Sequence, residues 1–60
     1  MEQHQIVRRK RRELEMTQQQ LADRIGMSQA MIQHYENGRS GVSSKTLEKI
    51  LNVLDLKLEL

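Results

Sequence analysis

Four side chains in one short segment carry the most specific chemistry of the chain. Gln29, Ala30, Gln33 and His34 offer hydrogen-bond donors, acceptors and a methyl group, with no acid among them. At about 100° per residue along a helix, all four point away from the side that bears Ile32 and Tyr35. A surface of this kind suits base edges in a duplex groove, where an acidic side chain would face phosphate repulsion. A Gln amide makes two bonds to adenine N6 and N7, and an alanine methyl touches the methyl of thymine. His34 can donate to a guanine acceptor or to phosphate. On its own, amide-rich helix surface is also what plain solvation produces.

A second feature is electrostatic. Arg8, Arg9, Lys10, Arg11 and Arg12 are five consecutive cations, whereas Lys45, Lys49 and Lys57 are balanced by Glu48, Asp55 and Glu59 in the last third. The overall net charge is only +2. A dense basic cluster on an otherwise neutral body suits a polyanionic partner. The same residues also fit a solvated helix face held by Arg9–Glu13 and Arg11–Glu15 pairs at i,i+4 spacing.

Other chemistries find no residues. The chain has no Cys, which removes disulfides, thiolate nucleophiles and Cys-based zinc sites. His4 and His34 are the only two histidines, thirty positions apart, with no carboxylate at metal-ligand spacing. There is no Gly-rich phosphate loop and no nucleophile elbow. Ser28, Ser43 and Ser44 are placed as helix caps. No enzyme, cofactor or metal is therefore expected. Apolar runs of two or three residues allow no membrane span or signal peptide, so a cytoplasmic, nucleoid-associated protein is expected.

The elements that must position these groups are helices. Sixty residues make one small domain, 1–60, with a marginal core; three Gly, no Pro and one aromatic leave few strand or turn signals. The pattern predicts a first helix over about residues 4–15 with a thin stripe of Ile6, Val7 and Leu14, interrupted by Lys10. Thr17 with Gln20 forms a capping box that opens a second helix over 18–25, with Leu21, Ala22 and Ile25 inward and Gly26 as its stop. Ser28 caps a third helix over 29–36, which Asn37-Gly38 ends. Ser43 caps a fourth, with Leu47, Ile50, Leu51 and Leu54 at helical spacing. Met27 and Met31 are expected to fill core gaps. Two short helices joined by so tight a Gly turn form a helix-turn-helix.

The last residues change period. Leu54, Leu56, Leu58 and Leu60 alternate with Asp55, Lys57 and Glu59, which is strand-like. A lone strand would pair with its own copy across a two-fold axis; a frayed tail with Leu56 tucked onto the fourth helix is the alternative.

The stretch TQQQLADRIGMSQAMIQHYENGR, Thr17 to Arg39, resembles the lambda-repressor-like, or Xre-type, helix-turn-helix family. Matching positions are Thr17-Gln18, Leu21-Ala22, Ile25-Gly26, Ser28, Ile32, Tyr35-Glu36-Asn37-Gly38 and Thr46-Leu47, within a similarity running over about residues 7–56. The resemblance implies an all-α, compact four-helix domain with a short C-terminal β-strand or extended tail. It implies double-stranded DNA as partner, with Gln29, Ala30, Gln33 and His34 reading bases. Gln18, Ser28, Asn37 and Arg39 would meet phosphate, with Arg8, Arg11 and Arg12 near it, and Arg11 would pair with Glu36. The chain departs from the family pattern at Lys10 (usually Leu), at Glu15 (usually Gly) and in lacking a fifth helix. Transcriptional repression by a homodimer joined through Leu54 to Leu60 is the leading expectation. An antitoxin that binds a toxin protein and regulates its own synthesis is a second, and an engineered monomeric DNA-binding scaffold a third.

Overall fold

Helix starts are set by side chains that reach back to their own backbone. Residues 2–55 are described by the structure, a computed structural model, and they form four helices: α1 (Gln3–Glu13), α2 (Gln18–Ile25), α3 (Gln29–Glu36) and α4 (Ser44–Val53). Thr17 Oγ1 accepts from Gln20 N at 3.0 Å, and Gln20 Oε1 accepts from Thr17 N at 2.8 Å. This reciprocal box satisfies two donors that a helix start leaves open. Ser28 and Ser43 do half as much, each accepting from a backbone N–H three residues on. At α1, Gln5 Oε1 accepts from Glu2 N at 2.9 Å.

All four helices stop in the same manner, with a left-handed residue just past the last turn. Glu15 (φ 54), Gly26 (φ 73), Gly38 (φ 74) and Asp55 (φ 56) hold these places. After α1, Met16 N donates to Arg11 O and Glu15 N to Arg12 O, both at 3.0 Å. After α3, Arg39 N donates to His34 O at 2.9 Å and Gly38 N to Tyr35 O at 3.0 Å. These paired bonds cap carbonyls that the helix would otherwise leave unsatisfied.

The core is built from Val7, Leu21, Ala22, Ile25, Ile32, Tyr35, Ile50, Leu51 and Leu54. Met16, Met27, Val42, Leu47 and Val53 pack around it, half-buried. The zero exposure of Ala22 explains its size, because α2 packs mainly against α3 and a larger side chain would hold them apart.

Several expectations for α1 need correction. The helix ends at Glu13, two residues early, because Glu15 takes the left-handed position instead of a helical one. Of the expected stripe only Val7 is buried, while Ile6 and Leu14 are 38% and 46% exposed. The side chain that shares the inward face with Val7 is Arg11, one turn on. The i,i+4 pairs do not organise the surface either. Arg11 turns inward to Glu36, and Glu13 Oε2 lies 3.9 Å from Lys10 Nζ. Met31, expected in the core, is 39% exposed, since α3 turns Ile32 and Tyr35 inward. Of the expected C-terminal strand or tail, 55–60, only Asp55 lies among the described residues, where it is left-handed and not extended, and Leu54 before it caps α4 in the core; 56–60 lie outside the described residues, and no strand occurs among the described ones.

Candidate nucleic-acid interface

The first residues of the two central helices meet. Gln18 opens α2, Gln29 opens α3, and Gln29 Nε2 donates to Gln18 Oε1 at 2.7 Å. Gln18 Nε2 in turn donates to Glu36 Oε1 at 3.1 Å. Glu36, at the far end of α3, is 1% exposed and takes two further bonds from Arg11, Nε to Oε2 at 2.7 Å and Nη2 to Oε1 at 2.9 Å. The remaining Arg11 terminus, Nη1, donates to Met16 O at 2.7 Å. Three helices are thus tied by one polar chain, Arg11–Glu36–Gln18–Gln29.

A buried carboxylate needs this company. Without a cation and several donors it would be expelled or neutralised. The two-pronged fit of guanidinium to carboxylate supplies both, and also fixes the angle between α1 and α3. Arg11 is itself 7% exposed, so of the seven side chains expected near phosphate it is the one turned into the molecule.

The other expected residues lie outward. Ala30, Gln33 and His34 are exposed along α3, opposite buried Ile32 and Tyr35, and Gln29 is half-buried by its bond to Gln18. Asn37 caps α3, and Arg39 follows one residue past left-handed Gly38; both are exposed. Ser28 is exposed, with its hydroxyl engaged by Met31 N at 3.2 Å. Arg12 is exposed and Arg8 half-buried. Gln5, Arg8, Arg9, Arg12 and Glu13 line one shallow depression on α1.

Besides the bonds of Gln18 to Glu36 and of Arg11 to Met16 O, two further contacts have little or no signal in the sequence. One is the Gln18–Gln29 bond, whose only linear signal is that both glutamines open a motif helix. The other is His4, whose ring sits edge-on to Tyr35 with centroids 6.4 Å apart, against Gly38. It closes the α1 end over α3. Tyr35 Oη is buried and has no hydrogen-bond partner among the described residues. Burial pushes the Tyr35 phenol above its ordinary pKa, and the neighbouring Glu36 carboxylate adds to the effect.

Among the described residues no helix is long and apolar enough to cross a membrane. No curated protein and no solved structure matches the chain. The family model of the helix-turn-helix matches residues 7–60, nearly the full length, and it covers both motif helices, their caps and the Arg11–Glu36 lock. The chain belongs to the lambda-repressor-like (Xre-type) helix-turn-helix family of DNA-binding transcription regulators.

Proposed function

We propose that the protein is a sequence-specific repressor that lays α3 in the major groove of double-stranded DNA. The observation that carries this reading is the orientation of α3. Ile32 and Tyr35 are anchored in the core, which leaves Ala30, Gln33 and His34 exposed on a face free of acids. Gln29 stands at the start of that face, already held by Gln18. In this assignment Gln29, Ala30, Gln33 and His34 read base edges, and contacts outside α3 fix the register.

Phosphate contacts fall to Ser28, Asn37 and Arg39, which flank α3 in the chain, and to Gln18 at the start of α2, with Arg8 and Arg12 adding attraction from α1. Gln18 retains one Nε2 proton and its backbone N–H at a helix start, both suited to an anionic oxygen. Arg11 serves this surface through Glu36 and Gln18, since three of its five N–H donors are held by Glu36 and Met16 O. The repressor works as a homodimer joined through the alternating leucines Leu56, Leu58 and Leu60, while Leu54, wholly buried, stays in the core of its own protomer. Its site is then a near-palindrome with half-sites about 34–36 Å apart, one helical turn.

Selection of bound duplexes from a random pool, with sedimentation of the free protein, tests both parts. A defined palindromic sequence and a dimeric mass are expected. Equal binding of scrambled duplexes would overturn base reading, and a monomeric mass would overturn the dimer.

A further inference from the structure

We infer that Asn37-Gly38, at the end of α3, is a self-modification site: Asn37 converts to aspartate and isoaspartate when the helix stop opens, and His4 helps to hold that stop shut. The chemistry needs only the chain and water. Hydroxide takes the proton from Gly38 N, and that nitrogen attacks Asn37 Cγ. The new Cγ–N bond closes a succinimide ring as the Cγ–Nδ2 bond breaks, and the side-chain nitrogen leaves as ammonia. Water then opens the ring at Cγ to give aspartate, or at the main-chain carbonyl to give isoaspartate, whose backbone runs through Cβ.

Residue types favour this position over Asn52, the other asparagine of the chain. Gly38 has no Cβ to obstruct its own nitrogen, and both Asn37 and Gly38 are exposed to water. Asn52 is followed by Val53, whose branched Cβ crowds the same approach, and both lie within α4. The stop of α3 holds the reaction back. At ψ 0, Gly38 N eclipses the backbone nitrogen of Asn37, so Cβ stands a third of a turn from where ring closure needs it. The proton that must leave is engaged, since Gly38 N donates to Tyr35 O at 3.0 Å, and Arg39 N donates to His34 O at 2.9 Å just beyond. His4 covers Gly38 from α1: a Cβ there would lie 3.0 Å from Nε2, and the same ring meets Tyr35 edge-on. Turning ψ to the reactive value swings Gly38 out of this seat, at the expense of both bonds and the ring contact.

The consequence for DNA rests on the proposed function, which gives Asn37 a phosphate contact. A carboxylate at this position faces phosphate and also the negative end of the α3 dipole. Isoaspartate lengthens the main chain as well, so the two capping bonds lose their register. The change is one-way, and it takes the protein off its duplex.

The parent, His4→Ala and Gly26→Ala are aged in mildly alkaline buffer, folded and in urea. Tandem mass spectrometry locates the gain of about one dalton that follows when OH replaces NH₂. The gain should fall on Asn37 and not on Asn52, and should be at least about tenfold slower in the folded parent than in urea, because only opened molecules react. His4→Ala should speed the folded reaction about two- to tenfold, the worth of one edge-on ring contact. Gly26→Ala, which strains the end of α2 and leaves the α3 stop alone, should speed it less. Equal rates folded and in urea, or equal acceleration in the two variants, overturn the latch. No gain at Asn37 in urea overturns the site itself. Should circular dichroism show His4→Ala unfolded, hydrogen exchange at Gly38 N in the parent takes its place. An amide that exchanges freely while Asn37 stays protected overturns the latch, and slow exchange in step with slow ageing supports it. Asn37→Asp should bind every duplex about tenfold more weakly than the parent. Parental affinity in that variant overturns the loss of binding and leaves the site standing. A parent that binds no duplex overturns the proposed function, and the loss of binding with it, but not the site.

Discussion

Glu15 and Tyr35 each carry a local cost that one substitution can relieve. Glu15 holds a left-handed backbone at φ 54 where the family usually has glycine. For a residue with a Cβ this conformation costs about 1–2 kcal/mol. Glu15→Gly should therefore raise stability, by about 1 kcal/mol once the greater freedom of glycine in the unfolded chain is deducted. Urea unfolding followed by circular dichroism reads the change. Tyr35 buries a hydroxyl without a partner among the described residues. Tyr35→Phe removes that desolvated group and should stabilise by about 1 kcal/mol or leave stability unchanged. The same phenol carries a pH signature. Its folded pKa lies above the ordinary value of 10.0, so the unfolded state ionises first. Stability from this residue is complete below pH 10 and falls as pH rises from there toward the folded pKa. Tyr35→Phe should flatten that alkaline decline in denaturation midpoints measured across the range.

At the scale of elements, every helix is bounded by local devices, and the two glycine stops differ in a measurable way. A Cβ at Gly26 would meet nothing within 4 Å, so Gly26→Ala should cost only its backbone strain, about 1–2 kcal/mol. A Cβ at Gly38 would lie 3.0 Å from His4 Nε2, a ring already seated on Tyr35. Gly38→Ala should thus cost more than Gly26→Ala. The excess should vanish when His4→Ala is added, a non-additivity that a double-mutant cycle measures. These boundaries were legible in the sequence because a cap depends on residues three or four apart. The end of α1 is less legible for a related reason: Glu15 carries no composition signal for a stop that glycine would announce. Rotation of α1 about its axis was not legible at all. Ile6 and Val7 are equally apolar, and only the position of α3 decides that Val7 goes inside and Arg11 follows it.

For the molecule as a whole, the proposed reading puts affinity and specificity in different residues. Arg39→Ala should weaken binding evenly across sequences and lower the salt slope by about 1, as removal of one phosphate contact does. Gln29→Ala should cost about 1–3 kcal/mol on the preferred duplex and little on scrambled ones. Gel shifts over a salt series separate the two, and an exchange of these patterns would reverse the assignments. Such small domains have little stability to spare, and losing one side of the buried Arg11–Glu36 pair typically costs about 3–5 kcal/mol. The lock that shapes the binding face is therefore also a main tie between α1 and α3.

By itself the sequence determined where α2, α3 and α4 begin and where α2 stops, at Thr17, Ser28, Ser43 and Gly26, which face of α3 is free of acids, and the family to which the pattern belongs. Those features depend on near neighbours and on periodicity, both written in linear order. Tertiary structure alone decided that Arg11 lies inside, that Ile6, Leu14 and Met31 lie partly outside, and that Gln18 and Gln29 join hands under Glu36. Contacts spanning eleven to twenty-five residues exist only once the helices have packed, because their crossing geometry sets which side chains come within hydrogen-bond reach.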